Sequence, residues 1–108
     1  MLFKKDTQCP VIITPEALSH IRQIIYQKAI STDTYGLRIG TKGGGCAGAS
    51  FLLGFDTLKS ADQRYQVEEI PVFIEKKHMM YVLGLELDYQ DGEESGFVFN
   101  NKNAERPV

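Results

Sequence analysis

Tryptophan is absent from this 108-residue chain, cysteine occurs twice and proline four times. Two thiols close one bridge at most, and Cys9 and Cys46 stand far apart in unlike contexts. That excludes a disulfide scaffold of the small secreted kind. Long apolar runs are missing too. No stretch approaches the roughly 20 residues of a bilayer span, and the segment from Met1 to Pro10 carries Lys4, Lys5 and Asp6 without an apolar run of signal-peptide length. The expectation is a soluble, cytoplasmic protein with no membrane partner. Net charge is small, at −2, but uneven: residues 1–54 carry six Lys/Arg against three Asp/Glu, and residues 55–108 six against eleven. An acidic half repels phosphate backbones, so no nucleic-acid partner is expected.

What remains is an ordinary globular balance, 43% hydrophobic and 24% charged. No repeat or low-complexity linker divides the chain, so residues 1–108 read as a single domain able to bury a core. Val11, Ile12 and Ile13 form a β-branched run and read as a first strand. Thr14-Pro15-Glu16 then opens a helix: a capping hydroxyl, a proline at the first helical position and an acid at the positive end of the dipole. Leu18, Ile21, Ile25 and Ala29 follow at helical spacing, predicting a helix over about residues 15–30.

Beyond a polar loop the period changes to two. Leu37, Ile39 and Thr41 alternate with Arg38 and Gly40, and Ser50 to Phe55 reads as the antiparallel partner of that strand. Thr57 to Gln63 reads as a polar loop, short strands flank Pro71, and Glu75 to Val82 reads as a short helix ending near Gly84. Leu85, Leu87 and Tyr89 alternate with polar residues, Asp91-Gly92 signals a hairpin, and Gly96 to Phe99 is the last strand. The fold class is α+β, mainly antiparallel or mixed sheets with one long N-terminal helix and one short one.

Four of the ten glycines crowd around one thiol in Lys42-Gly43-Gly44-Gly45-Cys46-Ala47-Gly48. Such a backbone reaches positive φ and brings N–H groups close to a ligand. A tight connection between two strands, holding cysteine only as a small residue, is the plainest reading. Three chemical readings compete with it. A phosphate loop wants Gly-Lys-Ser/Thr opening a helix, whereas Lys42 precedes the glycines and a strand follows. A nucleophilic thiol wants a base, with Arg38 and Lys42 nearby to favour the thiolate. Of the two histidines, His20 reads as a boundary residue and His78, after Lys76 and Lys77, as part of a solvated helix face. An iron or iron–sulfur ligand is the third reading, since thiolate binds iron and a cluster takes four such ligands.

The blocks Leu37 to Gly40, Lys42 to Gly48 and Leu53-Gly54-Phe55-Asp56 resemble the signature of the HesB/IscA-like A-type iron–sulfur carriers. Ile12 to Ala17, Gly84 to Tyr89 and Gly96 to Asn101 match that family's opening, late and final segments in order, so the resemblance runs from about Val11 to Ala104. It implies the HesB-like fold and a protein, not an enzyme, that holds iron or an iron–sulfur cluster near a subunit interface. Acceptor apoproteins or assembly proteins are the implied partners, and a homo-oligomer the implied state. The family's first ligand falls on Cys46, framed by Gly44 and Gly45. Its Cys-x-Cys pair falls from about Val108 onward, where Glu105 to Val108 supply no thiol. A relative that has lost the pair and a chain cut short of it are both open at this point. Cys9, before Pro10, reads as incidental. The alternative function is a cluster-independent interaction or regulatory module, with the five carboxylates between Glu86 and Glu94 as its docking surface.

Overall fold

The computed structural model describes residues 9–42, 50–92 and 95–101, and these fall in two compact units. One contains Cys9 and Thr32–Val82, the other Pro10–Ser31 and the chain from Leu83 onward. Among the described residues no helix is long and apolar enough to cross a membrane.

The first unit is built on strands β2 (Tyr35–Lys42), β3 (Ser50–Thr57), β4 (Asp62–Val67) and β5 (Ile70–Glu75), in the order β3-β2-β5-β4. β2 and β3 are antiparallel over eight pairs, from Tyr35↔Thr57 to Lys42↔Ser50, while β2 and β5 are parallel. Alternation sorts the side chains of β2. Leu37 and Ile39 are buried on one face, with Gly36, Arg38 and Gly40 on the other. Ile70, Val72 and Ile74 of β5 are fully buried too. Pro71 is tolerated inside this central strand because the ladder to β2 begins only at Val72. A 3₁₀ turn, Lys76–His78, then leads into the short helix α2 (Met79–Val82), as the sequence leads one to expect.

In the second unit β1 (Ile12–Ile13) lies parallel to β6 (Leu85–Gln90), which pairs antiparallel with β7 (Gly96–Asn101). Helix α1 (Pro15–Gln27) buries Ala17, Leu18 and Ile21, and Val11, Leu85 and Leu87 are buried in the same unit. The Thr14 hydroxyl accepts the Ala17 N–H at 3.2 Å and donates to Asp88 Oδ1 at 2.7 Å, so one side chain caps the helix and ties it to β6. The expected α+β class, with antiparallel and mixed sheets, is borne out.

The helix ends earlier than its apolar spacing predicts, at Gln27 rather than near Ile30. The Ile30 N–H reaches back to the Ile25 carbonyl at 3.0 Å, and the Ala29 N–H to that of Tyr26 at 3.3 Å. This is a Schellman ending, which requires Ala29 at a φ of 52°. Alanine is strained there and glycine is not. Ala29→Gly is expected to stabilise the protein by roughly 1 kcal/mol, seen as a higher urea midpoint with an unchanged slope.

Candidate functional site

Cys46, Gly44 and Gly45 lie in the segment 43–49, outside the described residues. What the structure does define is their setting. The segment joins Lys42 of β2 to Ser50 of β3, and those two residues are register partners. Among the described residues no three His, Cys, Asp or Glu side chains converge as a metal ion would need.

Arg38 is a densely bonded polar group among the described residues of the first unit. Its Nε donates to Asp56 Oδ2 at 2.8 Å, and Nη1 and Nη2 grip both oxygens of Asp62 at 2.8 and 2.6 Å. Nη2 also donates to the Thr57 carbonyl at 2.9 Å. The Arg38 hydrogen bonds, and to a lesser degree the Lys59 N–H, hold the Asp62 carboxyl below its usual pKa against the opposing effect of burial. Asp56 is drawn down to about 2, first by the Lys59 ammonium and then by the Thr57 N–H. These ties explain why β3 runs on to Thr57 and β4 starts at Asp62, shortening the loop expected there. They also commit Arg38 to a structural bridge, so it does not serve the thiol reading of Cys46 as a nearby cation.

The histidines depart from their expected settings in different degrees. His20 is a half-buried boundary residue, stacked on Tyr89 with ring centroids 3.5 Å apart, and Tyr89 meets Phe97 edge-on at 5.0 Å. His78 is not on a solvated face. It is half-buried, and its Nδ1 accepts the Thr41 backbone N–H at 3.4 Å. A Cβ at Gly40 would fall 2.7 Å from that nitrogen, so the glycine makes the seat for the ring. Cys9 is half-buried near Tyr65, whose hydroxyl donates to the Met79 sulfur at 3.7 Å. Burial raises the Tyr65 pKa, and the charge on Cys9 adds to the rise.

Within the acidic run two carboxylates have internal work. Asp88 takes the Thr14 hydroxyl and the Tyr89 N–H, and Glu86 accepts from Asn100 at 3.3 Å. The His78 seat escaped the sequence reading. Its signal was Gly40 inside a strand, since glycine in a strand marks a close approach by another group.

The family model for iron–sulphur cluster biosynthesis matches residues 10–108. The chain belongs to that family. The rat protein named iron–sulfur cluster assembly 1 homolog, mitochondrial, is 37% identical over 101 residues, covering 92% of this chain and 76% of its own. The crystal structure of Escherichia coli SufA, involved in biosynthesis of iron–sulfur clusters, superposes with a TM-score of 0.71 at 26% identity, over 91% of this chain and 85% of that one. IscA, solved with a [2Fe-2S] cluster, gives a TM-score of 0.72 over 91% of this chain and 90% of its own; at 23% identity it speaks for the fold alone.

The HesB/IscA-like resemblance is thereby borne out, and iron–sulfur cluster assembly is the function of the protein's family. The cytoplasmic expectation is overturned. Relatives from rat, mouse and cattle are all named mitochondrial. That expectation rested on missing apolar runs, which bear on secretory signals and bilayer spans but not on organelles, whose targeting segments are amphipathic rather than apolar.

Proposed function

We propose that this member of the iron–sulfur cluster biosynthesis family takes iron or a cluster as cargo on Cys46 and passes it to acceptor apoproteins. Gly44 and Gly45 frame the thiol and let backbone N–H groups approach the cargo. The observation that carries the reading is the register of the β2–β3 pair. Eight successive pairs bring Lys42 and Ser50 opposite one another, and Cys46 lies midway along the chain between them. The residues on either side of the segment that carries Cys46 are thus fixed by strand pairing, and connections between scaffold strands are where functional residues concentrate. Such a protein transfers its cargo rather than turning over a substrate.

Cys46 supplies one thiolate per copy, and a cluster commonly takes four. A homo-oligomer or a complex with an assembly protein, either of which would bring further ligands to the cargo, is the working form on this reading. The family model spans residues 10–108, through both structural units, in keeping with one functional domain.

Anaerobic reconstitution with ferrous iron and sulfide tests the assignment. The wild-type protein is expected to develop visible charge-transfer bands, and Cys46→Ser to lose most of them. Bands of undiminished intensity in Cys46→Ser, or none in the wild type, would remove Cys46 from its role.

A further inference from the structure

We infer that the outer edge of β3 is a self-pairing surface, on which the same strand of a second copy docks antiparallel about a two-fold axis. The inference goes beyond the cargo reading and does not depend on Cys46. It begins with the two sides of the four-stranded sheet. An outermost strand offers a row of backbone N–H and C=O groups to any further strand, and native proteins blunt such edges with charge, proline or a bulge. β4 is blunted: it is six residues long, with Asp62 at its start and the exposed Arg64 in its middle. β3, on the other side, is not. It runs for eight residues, Ser50–Thr57, without lysine, arginine or proline, and its ladder to β2 has no bulge. Its one charged residue, Asp56, is engaged by Arg38 and Lys59.

The order of residues then selects the register and the partner. A slip of one residue turns every side chain to the other face, so only alternate registers keep the two faces of the sheet continuous across the axis. Two of these pair all but one residue of the strand: 50–56 about Leu53, or 51–57 about Gly54. Centred on Leu53, each Leu52 stands opposite Gly54 of the other copy. Leu52 is 38% exposed, and a Cβ built at Gly54 meets nothing within 4 Å, so a large apolar side chain is matched to an open position. Asp56 then lies opposite Ser50, and no two charges meet. Centred on Gly54, Leu52 would face the Asp56 carboxylate and the two open positions would face each other. The first register is the one β3 fits. An isologous contact needs one strand to carry both the apolar residue and the space for it, and β3 does. The seam is narrow, below the roughly 1,200 Å² of a stable interface, so the dimer is expected to be weak and concentration-dependent.

Sedimentation velocity of the whole chain, reduced and free of iron, tests the surface. The wild type is expected to pass from monomer to dimer between roughly 1 μM and 1 mM, the span of weak association. Leu52→Lys, at an exposed position, plants a charge on the edge and is expected to raise the dissociation constant about tenfold or more. Arg64→Ser, on the opposite edge, is expected to leave it unchanged. The register is read by cross-linking in a background where Cys9→Ser and Cys46→Ser remove both native thiols. Under diamide, Leu53→Cys is expected to join the two copies, because directly opposed Cβ atoms lie about 4.5–5.5 Å apart. Gly54→Cys is not, because its counterpart stands two positions along the seam.

A monomer at every concentration overturns the inference, as does a dimer indifferent to Leu52→Lys or weakened equally by Arg64→Ser. Cross-linking through Gly54→Cys in place of Leu53→Cys overturns the register, and with it the match of Leu52 to Gly54. Should Leu53→Cys fail to fold, the Leu52→Lys arm still decides. None of these readouts involves the cargo, so loading of Cys46→Ser judges the cargo assignment and sedimentation judges this surface.

Discussion

Replacing Arg38 with methionine is expected to cost about 3–5 kcal/mol of stability at neutral pH, the range for removing one partner of a buried ion pair. The reason lies in what the change leaves behind. The Asp62 side chain is 1% exposed and both its oxygens are held by the guanidinium, whose own side chain is 18% exposed. Asp56, at 38% exposed and bonded to Lys59, tolerates the loss; Asp62 does not.

The pH dependence follows from the direction of the shifts. Both carboxyls have folded pKa values below the usual carboxylate range, so their stabilisation is fully present above the unfolded value of about 3.9. It is lost as the pH falls through the folded values, about 2 for Asp56. Without Arg38 the sign reverses at Asp62, because burial then favours its protonated form. The variant is therefore relieved by acid while the wild type is weakened. Urea midpoints should differ most at pH 7 and converge toward pH 3. The double change Arg38→Met with Asp62→Asn, which removes the stranded charge and keeps an acceptor for the Lys59 N–H, should recover most of the loss. A gap that is absent at pH 7, or equal at both pH values, would show that the bridge does not stabilise the fold.

Arg38 also shows how far the pattern of residues carries. Alternation placed it on the face opposite Leu37 and Ile39 and paired β2 with Ser50 to Phe55, and both hold. Its partners were not legible, because Asp56 stands just past the stretch read as strand and Asp62 lies in the stretch Thr57 to Gln63 that reads as polar loop. The start of α1 was legible since Thr14-Pro15-Glu16 is a local signal; its end was not, since Ala29 gives no hint of a left-handed φ. Three basic residues in a row, Lys76 to His78, look solvated until the space above Gly40 is seen. The docking surface imagined from Glu86 to Glu94 loses Asp88 and Glu86 to internal bonds of the second unit. Cys46, Gly44 and Gly45 are singled out by glycine density and by the family pattern alone, and they lie outside the described residues. Residue type and order therefore sufficed for the family and for the β2–β3 pairing, while the side-chain contacts between distant segments had to come from the fold.

Gly36→Val is expected to destabilise the protein by about 3 kcal/mol, at the upper end of what overpacking costs. A Cβ at Gly36 would meet Phe73 Cζ at 2.7 Å, Cε2 at 2.8 Å and the Pro71 carbonyl oxygen at 3.0 Å. The phenylalanine has nowhere to go, since it is 4% exposed. The carbonyl belongs to the backbone of β5, which cannot yield without disturbing its ladders to β2 and β4. Valine adds two further methyl groups to that collision. Gly54 supplies the control: it lies on the neighbouring strand opposite Arg38, and a Cβ there meets nothing within 4 Å. Gly54→Val should hold or slightly raise the urea midpoint, because a β-branched residue suits an open strand position better than glycine. Equal destabilisation by the two changes would mean that strand propensity, not the ring of Phe73, decides where glycine is required. A large loss confined to Gly36 ties that glycine to the packing of Phe73 against β2, on the face where His78 is also seated.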